Sequence, residues 1–243
     1  MMKKINEFSK KLQFLSGAQL KIIAIISMLI DHINKALIYP NLTSSQGFLA
    51  TLSNVFDIMG RIAFPLFCFL LVEGFYKTRS RKKYLLNLLI FGVISEVPFD
   101  MFTTASYFNK NWNNVMFTLA LVLVTIWIID FLKTKMDNRP KVLWYIVSFI
   151  IVGVMCCVSM GLALDYEHHA ILIGYFFYLF YGKTIFSIPF AYGSMYTQPW
   201  ALLGFGLTLT YNGQRGKQSK MLGYWFYPVH LLILGILRLC LNI

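Results

Sequence analysis

The chain has 243 residues, of which 58% are hydrophobic and only 13% are charged, and its formal net charge is +12. Soluble domains average about 25% charged residues, so this composition excludes a soluble globular domain and predicts a multi-pass membrane protein. The basic residues lie in short clusters between apolar runs, where topology signals belong, so we expect no binding of nucleic acid. The four cysteines lie within apolar runs and predict buried thiols.

Long apolar runs are the predicted membrane helices, because a backbone in lipid must satisfy its own hydrogen bonds. They lie at about residues 20–39, 58–76, 84–99, 115–132, 142–164, 170–181 and 221–241. A broken run over residues 184–211 contains Pro189, Gly193 and Pro199, and predicts a hairpin of two short helices. We therefore expect an all-α polytopic membrane bundle of about eight or nine helical segments. No repeat or linker divides residues 1–243, so we expect one domain.

Basic residues outside the apolar runs predict the orientation of the chain. The first cluster lies within residues 1–19 and consists of Lys3, Lys4, Lys10 and Lys11. Further clusters at residues 77–83 and 133–141 each follow after two more predicted helices, and the loops between them carry almost no basic residues. We therefore expect the N-terminus and the basic clusters to lie in the cytoplasm.

Asp31 and His32 stand side by side in the first apolar run. An ionisable group in a bilayer interior costs at least about 2.5–3.5 kcal/mol, so a pair of them indicates a function. His32 follows Leu20 by roughly 18 Å of helix, slightly past the middle of a hydrocarbon core about 30 Å thick. Imidazole titrates near neutral pH and is a frequent general base. Two structural alternatives stay open: Lys35 neutralises Asp31 across one helical turn, and His32 only links two helices.

Arg61 lies near the predicted outer start of the second run, four residues after Asp57. The two can form an ion pair at the helix start. Pro65 lacks the N–H that would bond the carbonyl of Arg61, so a kink beside a fixed cation is also expected. Such a cation suits a carboxylate, a phosphate or a developing oxyanion.

Most other uncommon polar residues converge on the same, predicted outer, side of the membrane. They are Glu96 and Asp100 around Pro98, Asn113 and Asn114 before the fourth run, and Asp165, His168 and His169 after the fifth. His230 follows Tyr227-Pro228 inside the last run, nearer the membrane centre. Glu96 and Asp100 can instead cap a helix end at the membrane interface, and the loop histidines His168 and His169 can be plain surface residues. On the cytoplasmic side, Glu73 and Lys77 are spaced as an ion pair. No HExxH or CxxC spacing occurs, so we expect no metal.

Several short phrases, in order along nearly the whole chain, resemble the TraX family of membrane proteins. They are Leu20–Ala24 (LKIIA), Met28–His32 (MLIDH), Gly60–Pro65 (GRIAFP), Glu73–Phe75 (EGF), Arg81–Leu86 (RKKYLL), Ile94–Asp100 (ISEVPFD), Asn114–Leu119 (NVMFTL), Tyr211–Gly213 (YNG) and Phe226–His230 (FYPVH). One member of the family is linked to N-terminal acetylation of conjugative F-pilin. The sequence departs from the family pattern after Asp165-Tyr166, where Glu167-His168-His169 replaces small residues.

The resemblance implies an acyltransferase of the bacterial inner membrane. It would move an acetyl group from cytoplasmic acetyl-CoA to an extracytoplasmic acceptor, either a peptide or pilin amine or a glycan hydroxyl, among membrane lipids. By this resemblance His32 is the general base, Asp31 balances its charge, and Arg61 stabilises negative charge. The acceptor would meet Glu96, Asp100, Asn114, Asp165, Tyr227 and His230, and CoA would meet Glu73, Lys77, Arg79, Arg81, Lys82 and Arg215.

Adjacent side chains on a helix do not face each other, so Asp31 is a poor orienting partner for His32. We expect that partner elsewhere, with Glu96 and Asp100 as candidates. The alternative function is a secondary transporter or flippase, in which Asp31, His32 and Arg61 relay a proton or an ion.

Overall fold

A computed structural model of the protein describes residues 12–42, 47–217 and 220–241. Within those ranges the regular structure is helical, and two isolated bridges join Leu15 to Tyr211 and Asn113 to Leu164. The helices are α1 (Gly17–Ile33), α2 (Gly47–Gly60), α3 (Ala63–Lys77), α4 (Arg81–Thr104), α5 (Val115–Lys135), α6 (Lys141–Gly161), α7 (Glu167–Leu179), α8 (Thr184–Gly193), α9 (Ala201–Thr208) and α10 (Lys220–Leu241). A π-helical turn (Asn34–Ile38) and a 3-10 turn (Tyr39–Asn41) extend α1. The prediction of an all-α bundle is confirmed.

Six helical stretches among the described residues are long and apolar enough to cross a membrane. They are Gly17–Asn41, Gly47–Lys77, Arg81–Thr104, Val115–Lys135, Lys141–Gly161 and Gly223–Leu241. Helix α6 shows how such a helix is arranged, because it exposes Ile146, Phe149 and Ile150 while it buries Ser148 and Ser159. A helix in water has the opposite distribution. Apolar side chains outside and hydroxyl groups inside are typical of a helix that faces lipid, and the chain is a multi-pass membrane protein.

The chain divides into two compact units that alternate along the sequence. The first takes its described residues from Met1–Leu70, Val97–Phe108 and Met195–Ile243, and the second from Leu71–Glu96 and Asn109–Ser194. The single domain expected from the sequence stays a prediction.

In the first unit, α1 packs against α2 and against α10. Helix α1 begins in a capping box, in which the backbone N–H of Ser16 donates to Gln19 Oε1 at 2.9 Å. Gly60 lets α2 approach closely, because a Cβ atom there would lie 2.5 Å from the Cβ of Asp31. Ser27 adds a hydrogen bond across the same contact, from its hydroxyl to the carbonyl oxygen of Met59 at 2.5 Å. This contact orients α1 so that Asp31 faces α2.

In the second unit, α7 packs against α5, α6 and α8. The hydroxyl groups of Tyr175 and Ser148 lie 2.8 Å apart and tie α7 to α6. Gly174 permits the close packing of α7 on α5, because a Cβ atom there would overlap Val122. Helix α7 has 13 residues. It is therefore shorter than the roughly 20 residues that a perpendicular span needs, although the sequence predicted a span over residues 170–181.

The structure changes two of the predicted boundaries. The sequence predicted that the second membrane helix begins at residue 58. In the structure α2 begins earlier, at Gly47, and a break in the helix separates α2 from α3. Helix α4 continues through Pro98 to Thr104, so the interpretation of Glu96 and Asp100 as helix-end caps is wrong. The broken run contains the two predicted short helices, α8 and α9. The N-terminal basic residues Lys3, Lys4, Lys10 and Lys11 lie outside the described residues.

Candidate functional site

Two histidines from α1 and α10 form a hydrogen bond inside the first unit. Nδ1 of His32 lies 2.8 Å from Nε2 of His230, although the residues are 198 positions apart. The planes of the two imidazoles differ by 8°, and their centroids are 5.1 Å apart. His230 is 5% exposed. The sequence placed the orienting partner of His32 among the acids, whereas Nδ1 of His32 is bonded to an imidazole.

Aromatic rings and a backbone carbonyl complete the surroundings of the pair. Nδ1 of His230 lies 2.7 Å from the carbonyl oxygen of Phe226, one helical turn earlier. The rings of Phe226 and Tyr227 lie 4.7 and 5.7 Å from that of His230, measured between centroids. The ring centroids of Phe102 and His32 are also 4.7 Å apart. The pair is therefore held among apolar rings, where a hydrogen bond is stronger than in water.

Asp31 pairs with Lys35, as the spacing predicted. Nζ of Lys35 lies 2.6 Å from Oδ2 of Asp31, whose side chain is buried while that of Lys35 is 44% exposed. The other carboxylate oxygen, Oδ1, has no hydrogen-bond partner among the described residues. The charge of Asp31 is therefore balanced by Lys35 rather than by His32.

Removal of Lys35 should therefore destabilise the protein through Asp31. We expect Lys35→Met to lower the free energy of unfolding by about 1–3 kcal/mol, because a buried carboxylate loses its cation. The double variant Lys35→Met/Asp31→Asn should recover much of that loss, since it carries no buried charge. Thermal unfolding of the purified variants in one detergent measures the difference. A double variant that unfolds at or below the temperature of the single variant would contradict the pairing.

Arg61 lies in the break between α2 and α3 and is held from two directions. Its Nε and Nη2 donate to the carboxylate of Asp57, which confirms the predicted pair. Its Nη1 donates to Oε1 of Gln198 at 3.2 Å, a contact that the sequence did not indicate. Pro65 lies in the first turn of α3, where helical N–H groups lack intrahelical partners, so the break itself precedes the proline. The guanidinium is thus fixed in position.

The remaining predicted acceptor residues lie in both units. In the first unit Asp100 and Tyr227 are buried. In the second, Asn114 caps α5 through Oδ1, which accepts from the N–H of Met116 at 3.0 Å. Its Nδ2 donates to Glu96 and to the carbonyl oxygen of Gly92. The carbonyl oxygen of Asp165 accepts from the hydroxyl of Thr118 at 2.6 Å. Asn114 and Glu96 therefore join α5 to α4.

The loop histidines lie at the start of α7. The rings of His168 and His169 lie 4.1 Å apart between centroids. Burial, followed by the charge of His168, lowers the pKa of His169. Three residues near this turn, Ala163, Tyr166 and Glu167, have positive φ angles. No group of three or more His, Cys, Asp or Glu side chains that could hold a metal occurs among residues 12–42, 47–217 and 220–241.

The basic residues predicted to bind CoA have different surroundings. Glu73 and Lys77 form the predicted ion pair at 2.7 Å. Arg81 donates to Asp130 at 2.7 Å and lies 3.8 Å from the ring centre of Phe75. Three others, Arg79, Lys82 and, in the first unit, Arg215, are exposed. Arg81 is thus part of the packing of the second unit, whereas the exposed cations are accessible to an anion.

The chain matches a known family over most of its length. The profile described as "TraX protein" matches residues 16–238. The chain belongs to the TraX family. It is 30% identical over 252 residues to the "Probable fimbrial assembly protein FimC, serogroup H1" of Dichelobacter nodosus, across 93% of this chain and 96% of that protein.

A second comparison covers a shorter part of the chain. The chain is 34% identical over 103 residues to "Uncharacterized protein RP591" of Rickettsia prowazekii (strain Madrid E), across 42% of this chain and 33% of that protein. No solved structure matches the chain significantly. The region matched by the TraX profile contains His32, Arg61 and His230.

Proposed function

We propose that this TraX-family protein is a membrane acetyltransferase in which His32 is the general base. The observation that carries the proposal is the hydrogen-bonded pair of His32 and His230, formed by two helices that are long and apolar enough to span the membrane. Ionisable residues in such helices mark functional sites, and imidazole is the side chain best suited to proton transfer near neutral pH.

The reaction is the transfer of an acetyl group from cytoplasmic acetyl-CoA to an acceptor on the outer side of the membrane. The acceptor nitrogen or oxygen attacks the thioester carbonyl while His32 takes its proton. The carbon–sulfur bond then breaks, the thiolate takes the proton that His32 holds, and CoA leaves as a thiol while His32 becomes neutral again. Arg61, held by Asp57 and Gln198, supplies a fixed positive charge for the oxyanion that forms at the carbonyl. Asp31 is the partner of Lys35 and balances the local charge.

Exposed cations are the candidates for binding the phosphates of CoA. Arg79, Lys82 and Arg215 are exposed, and Lys77 is held by Glu73. An exposed guanidinium or ammonium group recognises phosphate by charge and by hydrogen bonds. Arg81, which the sequence also predicted to bind CoA, donates a hydrogen bond to Asp130 and would support the packing around the exposed cations of the second unit.

The acceptor we favour is an amine of a fimbrial or pilin subunit. The relative from Dichelobacter nodosus bears the name of a probable fimbrial assembly protein and aligns over nearly its whole length. A hydroxyl group of a surface glycan is the second candidate. Glu96, Asp100, Asn114, Asp165 and Tyr227 stay candidates for contact with the acceptor.

Consumption of acetyl-CoA by the purified protein tests the proposal. We expect protein in lipid nanodiscs to release free CoA thiol, and inside-out envelope vesicles to incorporate labelled acetyl groups when wild-type protein is present. Mass spectrometry of fimbrial subunits and surface glycans then identifies the acceptor. Ion-coupled solute uptake in proteoliposomes, without consumption of acetyl-CoA, would overturn the proposal in favour of a transporter.

A further inference from the structure

We propose that His230 is a positioning residue, which keeps a proton on Nδ1 of His32 and so makes Nε2 of His32 the basic nitrogen. The sequence placed His230 among residues that contact the acceptor. Its geometry assigns it instead to His32. The catalytic meaning of this inference rests on the proposed acetyl transfer, whereas the position of the protons can be measured without it.

The assignment begins at a backbone carbonyl. The carbonyl oxygen of Phe226 can only accept a hydrogen bond, so Nδ1 of His230, 2.7 Å away, carries the proton. A neutral imidazole has one protonated and one unprotonated nitrogen, so Nε2 of His230 is an acceptor. Nδ1 of His32, 2.8 Å from it, must then donate. The lone pair of a neutral His32 is left on Nε2.

The orientation of the rings agrees with this direction of donation. Their planes differ by 8°. The centroid separation of 5.1 Å equals the N–N distance of 2.8 Å lengthened by about one ring radius at each end. The imidazoles therefore lie edge to edge in one plane, where an N–H of one ring points at the lone pair of the other.

Burial makes the arrangement persistent. His230 is 5% exposed, and the rings of Phe226 and Tyr227 lie beside it. Water is therefore a poor competitor for its ring nitrogens. When His32 accepts a proton on Nε2, its Nδ1–H still donates to the neutral imidazole of His230, and a charge-assisted hydrogen bond stabilises the resulting imidazolium.

Nitrogen NMR of the labelled protein measures the proton positions directly. The sequence has four histidines, so the His168→Gln/His169→Gln variant retains signals from His32 and His230 alone. At alkaline pH we expect both remaining rings to carry the proton on Nδ1 and to be unprotonated at Nε2. A wild-type His32 that is protonated on Nε2 would overturn the inference, whether or not the protein transfers acetyl groups.

Kinetics of His230 variants test the consequence for catalysis. His230→Phe removes the acceptor and should lower kcat by about 10²–10⁴-fold, as expected when a catalytic histidine adopts the wrong tautomer, with an unchanged KM for the acceptor. His230→Gln offers a carbonyl oxygen as a new acceptor and should recover at least about tenfold of that loss. Equal kcat values for the two variants, or a change confined to KM, would contradict a positioning role. Absence of acetyl transfer in the wild type would instead refute the proposed function.

Discussion

Replacement of His32 by alanine is expected to lower the rate of acetyl transfer by about 10²–10⁴-fold, the usual contribution of a general base. The same loss is expected for His32→Gln, which keeps a donor toward His230 but has no basic nitrogen. The rate of CoA release and the incorporation of labelled acetyl into the acceptor measure the effect. The glutamine variant separates loss of the base from loss of the hydrogen bond that joins α1 to α10.

His168→Gln is the matched control, because it also removes an imidazole and lies in the second unit, at the start of α7. Its rate should stay within about twofold of wild type, because His168 takes no part in the proposed proton transfer. Helix content and thermal unfolding should be unchanged in both glutamine variants. A His32→Gln variant that transfers acetyl groups at the wild-type rate would show that His32 is not the base.

Substitution of Gly204 by alanine is expected to destabilise the packing of α9 within the first unit. A Cβ atom at this position would lie 2.6 Å from the carbonyl oxygen of Ile62 and 3.0 Å from its Cα. Backbone atoms cannot rotate away as a side chain can, so α9 or the break between α2 and α3 must shift. We expect this overpacking to lower the free energy of unfolding by about 1–3 kcal/mol. Because Arg61 precedes Ile62 directly, acetyl transfer should fall as well.

Gly206→Ala provides the control for this substitution. Gly206 lies on the same helix, α9, and a Cβ atom there would meet nothing within 4 Å. Alanine favours a helix over glycine by roughly 0.5–1 kcal/mol in water, so the variant should unfold at or slightly above the wild-type temperature. Thermal unfolding of both variants in one detergent decides the matter. Equal unfolding temperatures would show that α9 does not press against the backbone at Ile62.

Local features of the structure could be predicted from the sequence. Each ion pair that the sequence indicated joins residues four positions apart, and the structure contains the pairs Asp31–Lys35, Asp57–Arg61 and Glu73–Lys77. Such pairs depend only on helix geometry, which a run of apolar residues already implies. The long membrane helices follow for the same reason, since hydrophobic length is a local property.

Contacts between distant segments could not be predicted in this way. The hydrogen bond from Arg61 to Gln198 and the hydrogen bond between His32 and His230 both depend on which helix faces pack together. Hydropathy contains no information about that overlap, because lipid-facing and protein-facing residues are similarly apolar. The search for a partner of His32 among the acids failed because carboxylates are the usual partners, whereas this histidine is bonded to a second imidazole.

Helix α2 was missed for a different physical reason. Residues 47–57 include Thr51, Ser53 and Asn54, which lower the hydropathy below that of the neighbouring run. Ser53 is nevertheless 4% exposed, and its carbonyl oxygen accepts from Nδ2 of Asn34 at 3.0 Å. The polar residues of α2 are thus compatible with a helix because some of them face α1 rather than lipid.

Because 198 residues separate the two histidines, His32 and its partner leave the ribosome at different times during synthesis. A nascent chain that has inserted α1 holds His32 without its partner until α10 has left the ribosome. The entropic cost of closing a chain loop rises only slowly with the length of the loop. Insertions in exposed loops between α1 and α10 should therefore be tolerated. Loss of α10, in contrast, would leave a membrane-inserted polypeptide with no tautomer control. Under the proposed function, acetyl transfer at the full rate would therefore depend on synthesis of the chain through α10.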